Sequence, residues 1–256
     1  MEHLRGPLPR RWNRTGYMTR DVNVWVVSLQ GPLGRRLQSR KHVLNPVERE
    51  RGDRFLLERD RRAYVLAHIL VREVLSRFEP AVRPNEWRFE TAQGGRPELS
   101  AEFAATGLRF NISHTAGLVA CVVTPHVDCG IDVERHFERD NVMALARRSL
   151  SPTQLAALEA VPLVSRSTEF LRYWTFKEAR VKALGKGLLM DLREVESPLD
   201  RFARPGQVAE PERQGCNLWQ DWQWQHQSRF QAALSLRHDI RTEIRQLRLV
   251  VHDALL

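Results

Sequence analysis

The chain of 256 residues lacks the features that would commit it to a membrane, a disulfide framework or a disordered state. Its longest apolar run, Leu118–Val123, falls far short of the roughly 20 residues that a spanning helix needs. The three cysteines, Cys121, Cys129 and Cys216, are too few and too scattered for a disulfide or zinc framework. A hydrophobic share of 42% excludes disorder throughout. We therefore expect a globular cytoplasmic protein with Cys121 and Cys129 as buried thiols.

Motifs for nucleic acid are also missing, although the charge would allow such a partner. The net charge is +9 and the calculated isoelectric point is about 10.3, which is compatible with nucleic acid, anionic lipid or an acidic protein. The arginines are spread along the chain, with no helix-turn-helix, zinc-finger or ribonucleoprotein signature beside them. Residues 1–20 are rich in Arg and Pro and lack the apolar stretch of an export signal, so we expect a disordered tail there.

Two acids stand close together in the segment Cys129-Gly130-Ile131-Asp132-Val133-Glu134. Apolar and polar residues alternate as in a β-strand. Side chains two positions apart on a strand share a face, so Asp132 and Glu134 point the same way while Ile131 and Val133 point into the core. Such a pair can be the solvated face of an edge strand, or it can hold a hard cation such as Mg²⁺. The pair alone leaves both interpretations open.

A helix with polar residues one turn apart follows in the segment TEFLRYWTFKEARVKALG. Apolar residues recur at helical spacing, with Thr168 as a possible N-cap and Gly185 as the end. Glu178 and Lys182 are four residues apart and share a face. They can form an ordinary surface ion pair, or supply a third metal ligand and a cation for a phosphate or a reacting hydroxyl.

A third group of polar residues could bind an anion. The segment Phe110–Thr115 includes Ser113 and His114, and a turn upstream carries Arg96 before Pro97. No G-x-S-x-G elbow surrounds Ser113, so the sequence does not predict a nucleophilic triad. A lone His beside a strand is often structural, but a hydroxyl, an imidazole and a guanidinium also suit a phosphate.

Hydrophobic patterning predicts two halves, 21–126 and 127–256. The first has strands at 22–29, 87–91 and 108–123 with a long helix at 60–78. The second has the carboxylate strand, a helix capped by Ser151, the helix that carries Glu178, and a strand at 192–196. Segments 218–225 and 229–236 predict a hairpin. Its alternating Trp222 and Trp224 favour packing on a sheet, although such rings can also stack on bases.

These motifs, in this order, resemble the 4′-phosphopantetheinyl transferases. The resemblance is strongest to their larger monomeric branch, typified by activators of surfactin synthase, although that family usually has Lys where Arg96 stands. The motifs are Gly95-Arg96-Pro97, FNISHT at 110–115, GIDVE at 130–134 and WTFKEARVKALGKG at 174–187. The resemblance implies an α+β monomer of two similar, pseudo-symmetric halves, each with an antiparallel-type sheet packed on a long helix.

The resemblance also implies a reaction and its participants. The enzyme would use coenzyme A with Mg²⁺, or alternatively Mn²⁺, and move the 4′-phosphopantetheine arm to a serine of an acidic acyl or peptidyl carrier protein. Such carriers serve the synthesis of fatty acids, polyketides and nonribosomal peptides. Adenosine 3′,5′-bisphosphate would leave, and Glu178 or a metal-bound water would accept the serine proton. The implied metal ligands are Asp132, Glu134 and Glu178; the catalytic residues are Glu178, Lys182 and Asp132; the coenzyme-binding residues are Arg59, Arg96, Ser113, His114, Lys177 and Lys182.

Two alternatives stay open at this level. The same three acids could serve another Mg²⁺-dependent enzyme acting on nucleotide phosphoesters. The basic composition could instead belong to a non-catalytic nucleic-acid-binding module, although the resemblance implies no nucleic-acid or membrane partner.

Overall fold

A computed structural model describes residues 21–92, 95–136, 141–187, 190–196, 212–214, 217–239 and 247–253. The tail expected at 1–20 and Cys216 lie outside these residues. The chain divides into two units, the first within Met1–Glu90, Pro97–Asp128 and Thr242–Leu256, the second within Thr91–Arg96 and Cys129–Arg241. The fold is mixed α+β with mainly antiparallel sheets, as predicted. Within the described residues, none of the helices combines the length and apolar character needed to cross a membrane.

The first unit is built on a four-stranded sheet and one long helix, with a smaller two-stranded sheet formed by its second and third strands. Its elements are β1 (Asp21–Ser28), α1 (Pro32–Gln38), α2 (Pro46–Asp53), α3 (Glu58–Phe78), β2 (Phe89–Thr91, whose last residue falls in the second unit), β3 (Pro97–Leu99), β4 (Leu108–Thr115), β5 (Leu118–Pro125) and β10 (Arg248–His252). The sheet order is β10-β1-β5-β4, and α3 packs on β5 and β4. All pairs in this sheet are antiparallel except β1 with β10, which is parallel.

A buried ion pair fastens α2 to α3 in this unit. Asn45 and Glu48 form a capping box, in which the Asn45 side chain accepts from the Glu48 amide at 2.8 Å and the Glu48 carboxylate accepts from the Asn45 amide at 2.9 Å. The same carboxylate accepts from Arg72, which is 0% exposed, at 2.7 Å. Arg72 also donates to the carbonyls of Pro84 and Trp87, so three acceptors surround its buried charge.

The second unit also contains a four-stranded sheet and one long helix. Its elements are β6 (Asp128–Arg135, whose first residue falls in the first unit), α4 (Val142–Ser149), α5 (Pro152–Ala160), α6 (Leu163–Leu184), β7 (Glu212–Gln214), β8 (Asn217–His226) and β9 (Phe230–Asp239). The sheet order is β6-β9-β8-β7, and α6 packs on β9. The buried pair Arg180–Asp221 joins α6 to β8, with the guanidinium 4.3 Å from the centre of the Trp219 ring.

Several sequence predictions for the second unit are confirmed. Ser151 caps α5 through a capping box with Gln154, Gly185 ends α6 with φ of 69°, and β8 and β9 form the predicted hairpin. In the first unit Cys121, and in the second Cys129, is a buried free thiol, as predicted. Trp222 and Trp224 are buried, which supports packing rather than base stacking, since a stacking platform needs exposed rings.

Other boundaries differ from the prediction. Residues 192–196 were expected to form a strand, but Leu192–Glu194 is a 3₁₀ helix whose N-cap, Asp191, accepts from the Arg193 amide at 2.9 Å. Helix α6 begins at Leu163 rather than near Thr168. Pro162 occupies the N-cap position without a side-chain capping bond, and its carbonyl accepts from the Ser165 amide at 2.9 Å. Strand β10 belongs to the first unit through its pairing with β1, whereas the sequence-based division left it with the second half.

Candidate active site

Strand β6 presents Asp132 and Glu134 on the face that looks toward α6. A β-carbon built at Gly130 would overlap the Ala179 carbonyl oxygen and the Ala183 amide nitrogen of that helix. Because side chains alternate along a strand, Asp132 and Glu134 share the face of Gly130. Ile131 and Val133 point the other way and are 0% and 1% exposed. Glycine is therefore needed here to let the helix backbone approach the strand closely.

This close approach brings Glu178 and Lys182 of α6 to Asp132. The Lys182 ammonium donates to Asp132 Oδ1 at 2.6 Å and to the Ile131 carbonyl at 3.2 Å. Asp132 is 4% exposed, whereas Lys182, Glu178 and Glu134 are half-buried. In the ion pair between Asp132 and Lys182, the carboxylate is thus shielded from bulk water and the ammonium is partly exposed.

Two acids of the site, Asp132 and Glu178, lie near one cation, Lys182. The pKa of Glu178 is raised, first by burial and then by the negative charge of Asp132, while Lys182 lowers it. A carboxyl group that is disfavoured as an anion by its neighbour gains most from an added positive charge. The arrangement can therefore accept a cation or a proton at Glu178.

Arg96 supports the C-terminal turn of α6. Its Nη1 donates to the Lys182 carbonyl oxygen at 2.5 Å, and the same oxygen accepts from the Gly185 amide at 3.1 Å. The last carbonyls of a helix lack intrahelical partners and favour positive charge. Arg96, which the sequence placed with an anion, thus joins Asp132, Glu178 and Lys182 in the second unit.

Lys177 is placed differently from the other predicted residues. Its side chain is 0% exposed, and its ammonium donates to the Leu192 carbonyl at 2.8 Å. Burial lowers its pKa to about 8, although the acids Glu196 and Asp191 act in the opposite direction. This placement favours an internal role over contact with coenzyme A.

The remaining predicted residues lie in the first unit. Ser113 on β4 is buried and its neighbour His114 is exposed. The segment FNISHT lies in β4, within the region 108–123 that the sequence predicted to form strands. Arg59, in the first turn of α3, is exposed and lies 3.5 Å from Asp60 across an ion pair.

No group of three or more Asp, Glu, His or Cys side chains converges into a metal-binding arrangement in the part of the chain that the structure describes. The predicted ligands are nevertheless carried by adjacent elements, β6 and α6. Sequence reasoning missed the role of Gly130. The sequence signal for this role is a glycine two residues before Asp132, together with the small residues Ala179 and Ala183 on the facing helix.

Comparison with known proteins divides the chain in a similar way, except that Arg96 falls in the N-terminal match. The pattern of the 4′-phosphopantetheinyl transferase superfamily matches residues 128–235, and that of the 4′-phosphopantetheinyl transferase N-terminal region matches residues 31–126. The first match contains the acids, Glu178 and Lys182, and the second contains Arg59, Arg96, Ser113 and His114.

Individual relatives agree with these matches. The chain is 32% identical to the 4′-phosphopantetheinyl transferase HetI of Nostoc sp. over 192 residues, which cover 75% of this chain and 79% of HetI. It is 28% identical to the 4′-phosphopantetheinyl transferase Sfp of Bacillus subtilis over 193 residues, which cover 73% of this chain and 80% of Sfp. These matches confirm the resemblance drawn from the motifs: the chain belongs to the 4′-phosphopantetheinyl transferase family and is an enzyme of that class.

Proposed function

We propose that the enzyme transfers the 4′-phosphopantetheine arm of coenzyme A to a serine of an apo acyl or peptidyl carrier protein and releases adenosine 3′,5′-bisphosphate. The observation that carries this proposal is the meeting of Asp132, Glu178 and Lys182 across β6 and α6. Two acids and a lysine in one half-buried site suit the transfer of a phosphoryl group, which needs charge stabilisation and proton removal.

The donor chemistry of the site fits Mg²⁺. Asp132 and Glu178 are close enough for the charge of one to raise the pKa of the other, and a hard cation with oxygen ligands relieves such crowding. Glu134 lies on the same face of β6 and would be the third ligand, and Mn²⁺ would suit the same oxygens. When bound, the ion would neutralise charge on the phosphates of coenzyme A.

The residues of the chain would divide the chemistry between them. Glu178 would accept the proton of the carrier serine, a role that suits a carboxyl group whose pKa lies above its usual value. The serine oxygen would bond to the phosphorus of the arm while the bond from that phosphorus to the bridging oxygen breaks. Lys182 would stabilise the negative charge that grows on the departing bisphosphate.

Binding of the nucleotide would fall to Arg96, Ser113, His114 and Arg59. The guanidiniums suit phosphates, and the hydroxyl and imidazole add hydrogen bonds. Arg96 keeps the charge that the family usually provides as Lys but spreads it over a planar fork. Lys177 is the exception among the predicted ligands, since it is buried against Leu192.

We also propose that the enzyme is a cytoplasmic monomer of two similar halves with an acidic carrier protein as partner. Each unit contains a sheet packed on one long helix, α3 or α6, which is what supports similarity of the halves. The net charge of +9 supports an acidic partner, because opposite charges speed the encounter of two proteins.

Mass spectrometry tests the proposal directly. The protein is incubated with coenzyme A, Mg²⁺ and an apo carrier protein, and the carrier is weighed. A gain of one phosphopantetheine unit is expected. Hydrolysis of coenzyme A with an unmodified carrier would favour the alternative phosphoester enzyme. Absence of both, with salt-sensitive binding of DNA or RNA, would favour the nucleic-acid module.

A further inference from the structure

Lys177 is a buried cation with a backbone partner, and this is costly for a protein. Its side chain is 0% exposed and donates to the Leu192 carbonyl at 2.8 Å. An apolar side chain of the same length would fill the space without an ion to desolvate. A lysine at such a position therefore calls for a role that an apolar residue would not fill.

Lys177 bonds to a short segment that follows α6, residues 190–196. Asp191 caps its 3₁₀ helix, Leu192–Glu194, and Val195 is buried against the cluster that includes Phe176 and Val181. Gln154 of α5 donates to the Val195 carbonyl at 3.4 Å. Lys177 thus ties α6 to a segment that is itself anchored to α5.

The tie acts on the turn of α6 that carries the proposed proton acceptor. Lys177 and Glu178 are consecutive, so their side chains leave the helix about 100° apart because the helix has about 3.6 residues per turn. Lys177 reaches toward Leu192, while Glu178 lies near Asp132 and Lys182. A helix cannot rotate about its axis at one residue only, so a bond that holds Lys177 also holds Glu178.

We propose that Lys177 is a positioning residue, which sets the rotation of α6 through the Leu192 carbonyl and thereby holds Glu178 near Asp132, without touching coenzyme A. This rests on the proposed function, because it treats Glu178 as a participant in the transfer. The chain supplies a matched control near the N-terminal end of α6. Arg166 also ties this helix to backbone carbonyls, those of Val161 and Glu159, but lies three turns from Glu178.

The test compares Lys177→Met with Arg166→Met in the full chain. Turnover and the Michaelis constant for coenzyme A are measured with an apo carrier protein, and amide hydrogen exchange is followed over residues 190–196. For Lys177→Met we expect turnover to fall about ten- to a hundredfold, as for other groups that orient a ligand. The Michaelis constant should change by less than about threefold. Exchange over 190–196 should be faster. Arg166→Met should keep wild-type turnover.

Lys177→Gln keeps a hydrogen-bond donor and should retain more turnover than Lys177→Met; it also serves as the test if the methionine variant does not fold. A raised Michaelis constant with unchanged turnover would mean that Lys177 binds the coenzyme. Faster exchange with unchanged turnover would mean that the tie serves only the segment. Either result overturns the proposal. Lack of transfer by the wild type would instead refute the proposed function, while hydrogen exchange would still report whether the tie exists.

Discussion

Asp132 is the residue on which the charges of the site converge. Its Oδ1 accepts from Lys182 at 2.6 Å, and its negative charge raises the pKa of Glu178. At 4% exposure it is screened little by solvent, so it acts strongly on both neighbours. Loss of this carboxylate would therefore change the charge balance of the site as well as remove a proposed ligand.

Alanine at Asp132, Glu134 or Glu178 is expected to abolish most transfer while the fold persists. Each change removes one oxygen ligand from a proposed Mg²⁺ shell that tolerates little distortion. Turnover at saturating Mg²⁺ and circular dichroism measure the two effects. Glu50→Ala is the control, since Glu50 belongs to an exposed pair with Arg54. Near-normal turnover of Asp132→Ala at saturating Mg²⁺ would contradict the metal assignment.

The variants Lys182→Ala and His114→Ala are expected to differ in which kinetic parameter changes most. Lys182 would act on charge that develops during transfer, so turnover should fall most in Lys182→Ala. His114 would mainly hold the nucleotide, so the Michaelis constant for coenzyme A should rise most in His114→Ala. Steady-state kinetics with varied coenzyme A separates the two parameters. The reverse pattern would exchange the two roles.

At the scale of elements, the contact of β6 with α6 decides where the acids stand. Gly130 lies against the backbone of Ala179 and Ala183, so helix and strand approach more closely than side chains normally allow. Arg96 holds the end of the same helix and Lys177 holds its middle, each through a backbone carbonyl. The geometry of the site thus depends on how one helix is seated.

Gly130→Ala is expected to lower the free energy of unfolding by about 1–3 kcal/mol, because the new methyl group forces α6 away from β6. Turnover should also fall in the variant molecules that remain folded, since Glu178 and Lys182 move with the helix. Urea unfolding and turnover measure the two effects.

The control is Gly52→Ala in helix α2, where an added β-carbon would lie 3.4 Å from the Tyr64 ring. Alanine in a helix is favoured over glycine by about 0.5–1 kcal/mol, so this variant should be as stable as the wild type or more stable. Equal stability and activity in both variants would show that the close approach at Gly130 is not required.

For the whole molecule, stability at acidic pH depends on histidines that are buried in the neutral form. His238 on β9 is 5% exposed, and its Nε2 lies 3.2 Å from Gln220 Oε1. Burial lowers its pKa from 6.5 to about 4. Burial also lowers the pKa of His136 and His252. At these histidines the unfolded chain therefore binds more protons than the folded chain below about pH 6.5.

The contribution of His238 is expected to be fully present above pH 6.5 and to be lost as the pH falls toward 4. The loss should be on the order of 2–3 kcal/mol in the free energy of unfolding, since one pKa unit corresponds to about 1.4 kcal/mol. Urea unfolding at pH 7 and pH 4.5 compares the wild type with His238→Gln. The variant should lose less stability than the wild type over this range; an equal loss would assign the acid sensitivity to other groups.

Local chemistry was readable in the sequence wherever neighbours along the chain decide the structure. Alternation placed Asp132 and Glu134 on one face of a strand, Gly185 ended α6, and Ser151 capped α5. These features depend on backbone geometry within a few residues. The family was indicated separately, by the resemblance of four motifs in order. The prediction of a strand at 192–196 was wrong because capping by Asp191 favours a 3₁₀ turn, which the alternation of apolar and polar residues does not reveal.

Only the tertiary structure decided which of the charged residues contact one another. Lys177 and Lys182 are both basic residues of α6, yet one is buried against Leu192 and the other pairs with Asp132. Their difference follows from which elements face each side of the helix, and the spacing of the residues does not contain it. The close seating of α6 on Gly130 and the pairing of β10 with β1 are likewise contacts between residues far apart in the chain, which packing and burial select.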